Sequence, residues 1–167
     1  MKVTIFQYGI LLFAFFIVNC GNSDEERIKG EVSLCDGFRG LAKNAITKPS
    51  LSIDSASYCT AERLLWEYDT MTSIVRLLHT RQTRNCAAEL SVEASVKDNC
   101  ITVIENDNRD PNGGADCACT FDTYVEVPNI TSELITVNYP KKSLVLQLTD
   151  LSGSIILDSM QSEGCRH

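Results

Sequence analysis

Ala61-Glu-Arg-Leu-Leu-Trp-Glu-Tyr-Asp-Thr-Met-Thr-Ser-Ile-Val-Arg-Leu-Leu78 is the stretch on which the fold class turns. Ala61, Leu65, Tyr68, Met71, Val75 and Leu78 recur at intervals of three and four, the spacing of one face of a helix. Leu64, Ile74 and Leu77 widen that apolar face, and Glu62, Arg63, Glu67, Asp69 and Arg76 fall mostly off it. Asp54 or Ser55 stands where an N-cap belongs, and the pattern fades at Thr80-Arg81-Gln82-Thr83. The spacing predicts a long amphipathic helix.

Upstream, Val32, Cys35, Phe38, Leu41, Ala42, Ala45 and Ile46 predict a second, shorter helix. Gly37 and Gly40 weaken it by about 1 kcal/mol each, and Pro49 ends it. Downstream the period changes to two. Leu90, Val92, Ala94 and Val96 alternate with polar residues, and Asp98-Asn99 turns the chain into Cys100–Ile104, so a hairpin is expected. Further strands are expected around Phe121–Val127, Ile135–Tyr139, Leu144–Leu148 and Ile155–Leu157, separated by turn signals. The expected architecture is α+β: one or two N-terminal helices packed on an antiparallel sheet of about five or six strands.

The N-terminus has a different character. Lys2 precedes an apolar run, Ile10-Leu-Leu-Phe-Ala-Phe-Phe-Ile-Val18, roughly 14 Å as a helix and too short to span a bilayer. Cys20 and the polar Gly21-Asn-Ser-Asp-Glu-Glu26 follow directly, the layout of an export signal. Ile17-Val18-Asn19-Cys20 resembles the lipobox of bacterial cell-envelope lipoproteins, in the relaxed form of spirochaete proteins, since Asn19 precedes the cysteine. The resemblance is confined to this segment. It implies a signal peptide over residues 1–19, lipid attachment at Cys20, an acylated tether over 20–30, and one domain over 31–167. Two or more acyl chains on Cys20 would give stable membrane anchoring.

Seven other cysteines follow: Cys35, Cys59, Cys86, Cys100, Cys117, Cys119 and Cys165. Behind an export signal they read as disulfide formers in an oxidising compartment. Seven leaves one unpaired if Cys20 is acylated; Cys20 kept as a thiol makes eight. On a continuous helix Cys59 and Cys86 would lie roughly 40 Å apart and could not pair. Cys117 and Cys119 are expected to bond to different partners, one of them Cys165. Zinc held by Cys117, Cys119, Cys165 and His167 is the competing and weaker reading.

The net charge of −7 and the scattered cations build no phosphate-binding face, so no nucleic acid is expected as a partner. Asn106–Asp116 is rich in oxygen ligands, and Asn108, Asp110 and Asn112 before Gly113 imitate the start of an EF-hand loop. Asn108 at the first position of that loop and Cys119 at its twelfth break the pattern. Neither cofactor nor metal is expected. The only histidines are His79 and His167, and no nucleophile elbow, phosphate loop or zinc-protease motif occurs. The chain is therefore expected not to be an enzyme. Trp66 flanks the helical stripe and is a possible partner contact. Asn129-Ile-Thr131 is a glycosylation sequon in a turn. The expected role is a lipid-anchored envelope lipoprotein, on the outer membrane or the periplasmic face. It would be a non-enzymatic binding or structural module for a protein or small ligand. The alternative is a freely secreted disulfide-rich ligand-binding or inhibitor protein.

Overall fold

A computed structural model describes residues 27–35, 37–38, 51, 55–109, 113–140 and 142–159. It is a β-sandwich. The strands are β1 (Ile28–Lys29), β2 (Glu31–Val32), β3 (Ala61–Asp69), β4 (Ile74–Asn85), β5 (Leu90–Lys97), β6 (Cys100–Asp107), β7 (Ala118–Val127), β8 (Leu134–Tyr139), β9 (Lys142–Gln147) and β10 (Ser152–Ser159). Sheet I has the order β1-β5-β6-β8-β9 and sheet II the order β10-β3-β4-β7-β2. All pairings are antiparallel except β6 with β8.

The α+β expectation is overturned. Among the described residues the only α-helix is a single turn, α1 (Ser55–Tyr58). The stretch that reads as a long helix is a hairpin, β3 and β4 paired from Asp69↔Ile74 to Arg63↔Thr80. Asp69 makes the turn: its Oδ1 accepts hydrogen bonds from the amides of Met71 and Thr72, at 2.9 and 3.3 Å. Met71, assigned to the buried helical stripe, sits at the tip and is 94% exposed. The physical reason is that sheet II is covered on both faces. Leu64, Trp66, Val75 and Leu77 face the core between the sheets. Leu65 and Leu78, with Tyr124, face outward beneath Phe38 and Leu51. A strand buried on both sides loses its alternation and reads as a continuous apolar run.

The proposed N-terminal helix over residues 31–47 falls largely outside the described residues; Glu31–Val32 is strand, paired with β7. The tether expected to reach residue 30 ends sooner, because Ile28 and Lys29 pair with Ala94 and Glu93 of β5. Between β1 and β2, Gly30 lets the chain pass from sheet I to sheet II. A Cβ there would lie 2.7 Å from Val92 Cγ1 and would collide with the Tyr124 carbonyl. The strands expected downstream are present, as β5 and β6 and then β7 to β10.

The core is the inner faces of both sheets. Leu64, Leu77, Val125 and Val127 of sheet II meet Ile101, Ile135, Val137 and Leu146 of sheet I, all of them 2% exposed or less. A fully buried side chain of this size contributes about 1.5–3 kcal/mol relative to exposure.

Candidate functional site

One end of the interior is polar. His79 of β4 and Gln82, three residues on, would face opposite ways along a regular strand. The pairing of β4 with β7 shifts between His79↔Thr123 and Gln82↔Phe121, so β4 carries one extra residue there, a β-bulge. Arg81 takes φ 64° in it, and its amide donates to Asp122 Oδ1 at 2.8 Å. The bulge turns His79 and Gln82 to the same face, and both reach Glu105 of β6 in the opposite sheet.

Glu105 Oε1 accepts from His79 Nδ1 at 2.9 Å, Gln82 Nε2 at 2.8 Å and Thr123 Oγ1 at 2.6 Å. The other imidazole nitrogen, Nε2, donates to Glu62 Oε1 of β3 at 2.7 Å. Two carboxylate acceptors on one ring call for the doubly protonated imidazolium. Burial works against that charge, but the hydrogen bonds to Glu105 and Glu62 and their negative charges outweigh it. The His79 pKa rises to about 9. Glu105 moves the other way: burial favours its acid form, yet the bond and charge of His79, with Thr123 and Gln82, hold its pKa below the usual value. This ion pair bridges the two sheets.

Beside it lies a cavity of about 270 Å³, lined by Glu62, His79, Arg84, Glu105, Tyr139, Pro140, Lys142, Leu157 and Asp158. The volume is close to the lower end for small-molecule sites, about 300 Å³. The Tyr139 ring meets the His79 ring edge to face, with centroids 5.2 Å apart. Tyr139 is only 9% exposed, and its hydroxyl has no hydrogen-bond partner among the described residues. Burial, with the charge of Glu105, pushes the phenol well above its ordinary pKa, so it stays a neutral donor. The imidazolium, held by two carboxylates, is a poor general base at neutral pH.

The residues selected from sequence lie elsewhere. Trp66, read as a partner contact, is buried to 5% in the inter-sheet core against Gly153, because the β3 register turns it inward. Cys35 bonds to Cys119 and Cys86 to Cys117. Cys117 and Cys119 do take different partners, but neither is Cys165, because β7 lays them against β4 and the segment after β2. Those bonds also remove both thiols from the zinc reading. Cys59 and Cys100 are disulfide-bonded as well. The helix-based exclusion placed Cys59 far from Cys86; the helix itself is absent. Cys20 and Cys165 lie outside the described residues, as does the signal segment.

In the oxygen-rich loop, Asp107 is consumed locally by Glu89 N, Arg109 N and the Arg109 guanidinium, and residues 110–112 lie outside the described residues. Asn129 of the sequon is exposed, with φ 62°. The sequence signal for a site at His79 is weak: Glu105 and Tyr139 lie 26 and 60 residues away, and nothing local marks the bulge.

No protein-family model, characterised protein or solved structure matches the chain.

Proposed function

We propose that the chain is an exported binding module that holds a small ligand in the cavity beside His79 and Tyr139, without catalysing a reaction. The Cys35–Cys119 and Cys86–Cys117 disulfides fit an extracytoplasmic, oxidising compartment. The observation that carries the reading is Tyr139, which lines the cavity and whose hydroxyl has no hydrogen-bond partner among the described residues. That hydroxyl is a donor open to a ligand acceptor in the cavity. Pro140, Leu157 and the Tyr139 ring supply apolar surface. Arg84 and Lys142 oppose Glu62 and Asp158 around it. The balance of charge suits a neutral or zwitterionic molecule with an apolar body and one hydrogen-bond acceptor.

Ligand-observed NMR with a panel of neutral and zwitterionic aromatic and aliphatic fragments tests this. Saturable binding that weakens several-fold in Tyr139→Phe is the expected result. No saturable binder, or equal binding to both proteins, overturns it.

A second reading keeps the same body but tethers it to a membrane through acylated Cys20; the Ile17-Val-Asn-Cys20 motif favours it. Palmitate labelling lost in Cys20→Ala would support it, and equal labelling of both proteins would end it.

A further inference from the structure

Cys59 and Cys100 each take part in a disulfide, yet the fold keeps them from each other. Cys100 opens β6 at the register Cys100↔Thr136, and Glu105 of the same strand lies at the polar end beside His79. Five residues of strand between them span about 17 Å. The other end of the sandwich is marked by Tyr68, whose hydroxyl donates to the Ile130 carbonyl. Cys100 therefore lies from Glu105 in the direction of that far end, since β8 runs from Leu134 to Tyr139 parallel to β6. Cys59 precedes Ala61 and lies at the polar end, where the carbonyl of its neighbour Tyr58 accepts from Arg81 Nη1. A bridge needs Cα atoms within about 7 Å. Cys59 and Cys100 do not meet that requirement.

With Cys35–Cys119 and Cys86–Cys117 formed, the sequence has two cysteines left, Cys20 and Cys165. We infer that Cys100 is bonded to Cys20 and Cys59 to Cys165. Strand register assigns the two pairs. β1 is antiparallel to β5, and followed back from Lys29 to Ile28 it heads along β5 toward Lys97, the residue opposite Cys100. Eight residues from Cys20 to Ile28 reach at most about 28 Å, enough for that distance. β10 is antiparallel to β3, and at its end, Ser159↔Ala61, the strand is heading toward the Cys59 side of Ala61. Six residues then lead to Cys165.

Each bridge forms as two thiols lose two protons and two electrons, taken up by a disulfide donor of the export compartment that is itself reduced to two thiols. The consequence concerns Cys20. A sulfur bonded to Cys100 carries no thioether to a lipid, so this pairing and the acylated Cys20 of the second reading above exclude each other, and the inference decides against that reading. All eight cysteines are then paired.

Mass spectrometry of the mature protein, purified from an exporting host and digested at acidic pH without reduction, tests the inference. Cross-linked peptides joining Cys20 to Cys100 and Cys59 to Cys165 are expected. A Cys59–Cys100 link, exchanged pairs, an acylated Cys20 or a mature N-terminus beyond Cys20 overturns it. Cys20→Ala offers a second measurement: iodoacetamide should then alkylate one thiol, at Cys100, and labelling at any other cysteine, or none, contradicts the assignment. None of these outcomes depends on the cavity reading.

Discussion

His79 Nδ1 lies 2.9 Å from Glu105 Oε1, and that contact joins β4 of sheet II to β6 of sheet I through the interior of the sandwich. Both side chains are 6% exposed. The ring is charged, the carboxylate is charged, and each has further partners, so the pair meets the conditions under which a buried ion pair is tolerated.

The pair makes stability depend on pH with a definite sign. The folded His79 pKa is raised from 6.5 to about 9, so its contribution is fully present below pH 6.5 and is lost as pH rises through about 9. A shift of that size corresponds to about 3 kcal/mol. Glu105 has a lowered folded pKa, so its contribution is present above its ordinary value of 4.5 and is lost as pH falls through the lower folded value. The melting temperature should be highest between these limits and should decline from pH 6.5 to 9. In His79→Gln the alkaline decline should flatten. A decline of equal slope in both proteins would refute the assignment.

Removing the acceptor should cost more than removing either neutral donor. Glu105→Ala leaves the imidazolium, the Gln82 amide and the Thr123 hydroxyl without their shared partner, a loss of about 3–5 kcal/mol. Thr123→Val removes one donor and should cost about 1 kcal/mol. Urea unfolding of the two variants measures the difference; equal midpoints would mean that Glu105 is not the centre of the network.

How much of this was legible in the residues depends on which forces were local. The β5–β6 hairpin was visible because each strand has one wet face, and Asp98-Asn99 supplies the turn. β3 and β4 were misread because Leu65 and Leu78 are covered from outside as Leu64 and Leu77 are from inside. Asp69-Thr-Met-Thr-Ser73 was the cue for a turn, and it was absorbed into a helical period that happened to span it. The site was invisible for another reason. It joins residues from β3, β4, β6, β7 and β8, and the bulge that turns His79 and Gln82 the same way exists only in the pairing with β7.

Met71 separates the two readings by experiment. A helix with Met71 in its stripe would lose a buried side chain on Met71→Lys, about 2–5 kcal/mol for comparable core truncations. At the exposed tip of the β3–β4 turn the same change should stay within about 0.5 kcal/mol. Thermal unfolding of Met71→Lys distinguishes them.

The Cys35–Cys119 and Cys86–Cys117 disulfides should differ in worth according to the chain each encloses. Cys35 and Cys119 are 84 residues apart, Cys86 and Cys117 only 31. On the chain-entropy account the longer loop gains about 1 kcal/mol more, within totals of about 4–5 kcal/mol. Alanine replacement of both cysteines in each pair should therefore lower the denaturation midpoint further for Cys35 and Cys119. The reverse order would show that native packing around the bridges, more than loop closure, sets their contribution.

Gly153 stands opposite Trp66 in the β10–β3 register, and the glycine is required by the ring beside it. A Cβ at residue 153 would come within 2.7 Å of the indole Nε1 and 2.8 Å of Cε2. The ring is fixed in the core at 5% exposure, so it has no room to yield. Alanine in place of glycine restricts the unfolded chain, a stabilising effect of about 0.4–1 kcal/mol. Overpacking costs typically 1–3 kcal/mol, so the loss should win. Gly153→Ala should therefore lower stability, with altered fluorescence from the single tryptophan. Trp66→Leu opens space on that side, and adding Gly153→Ala to it should cost little or nothing. The double-mutant cycle reads the clash directly. If Gly153→Ala is as destabilising beside leucine as beside tryptophan, the clash is with something other than the indole.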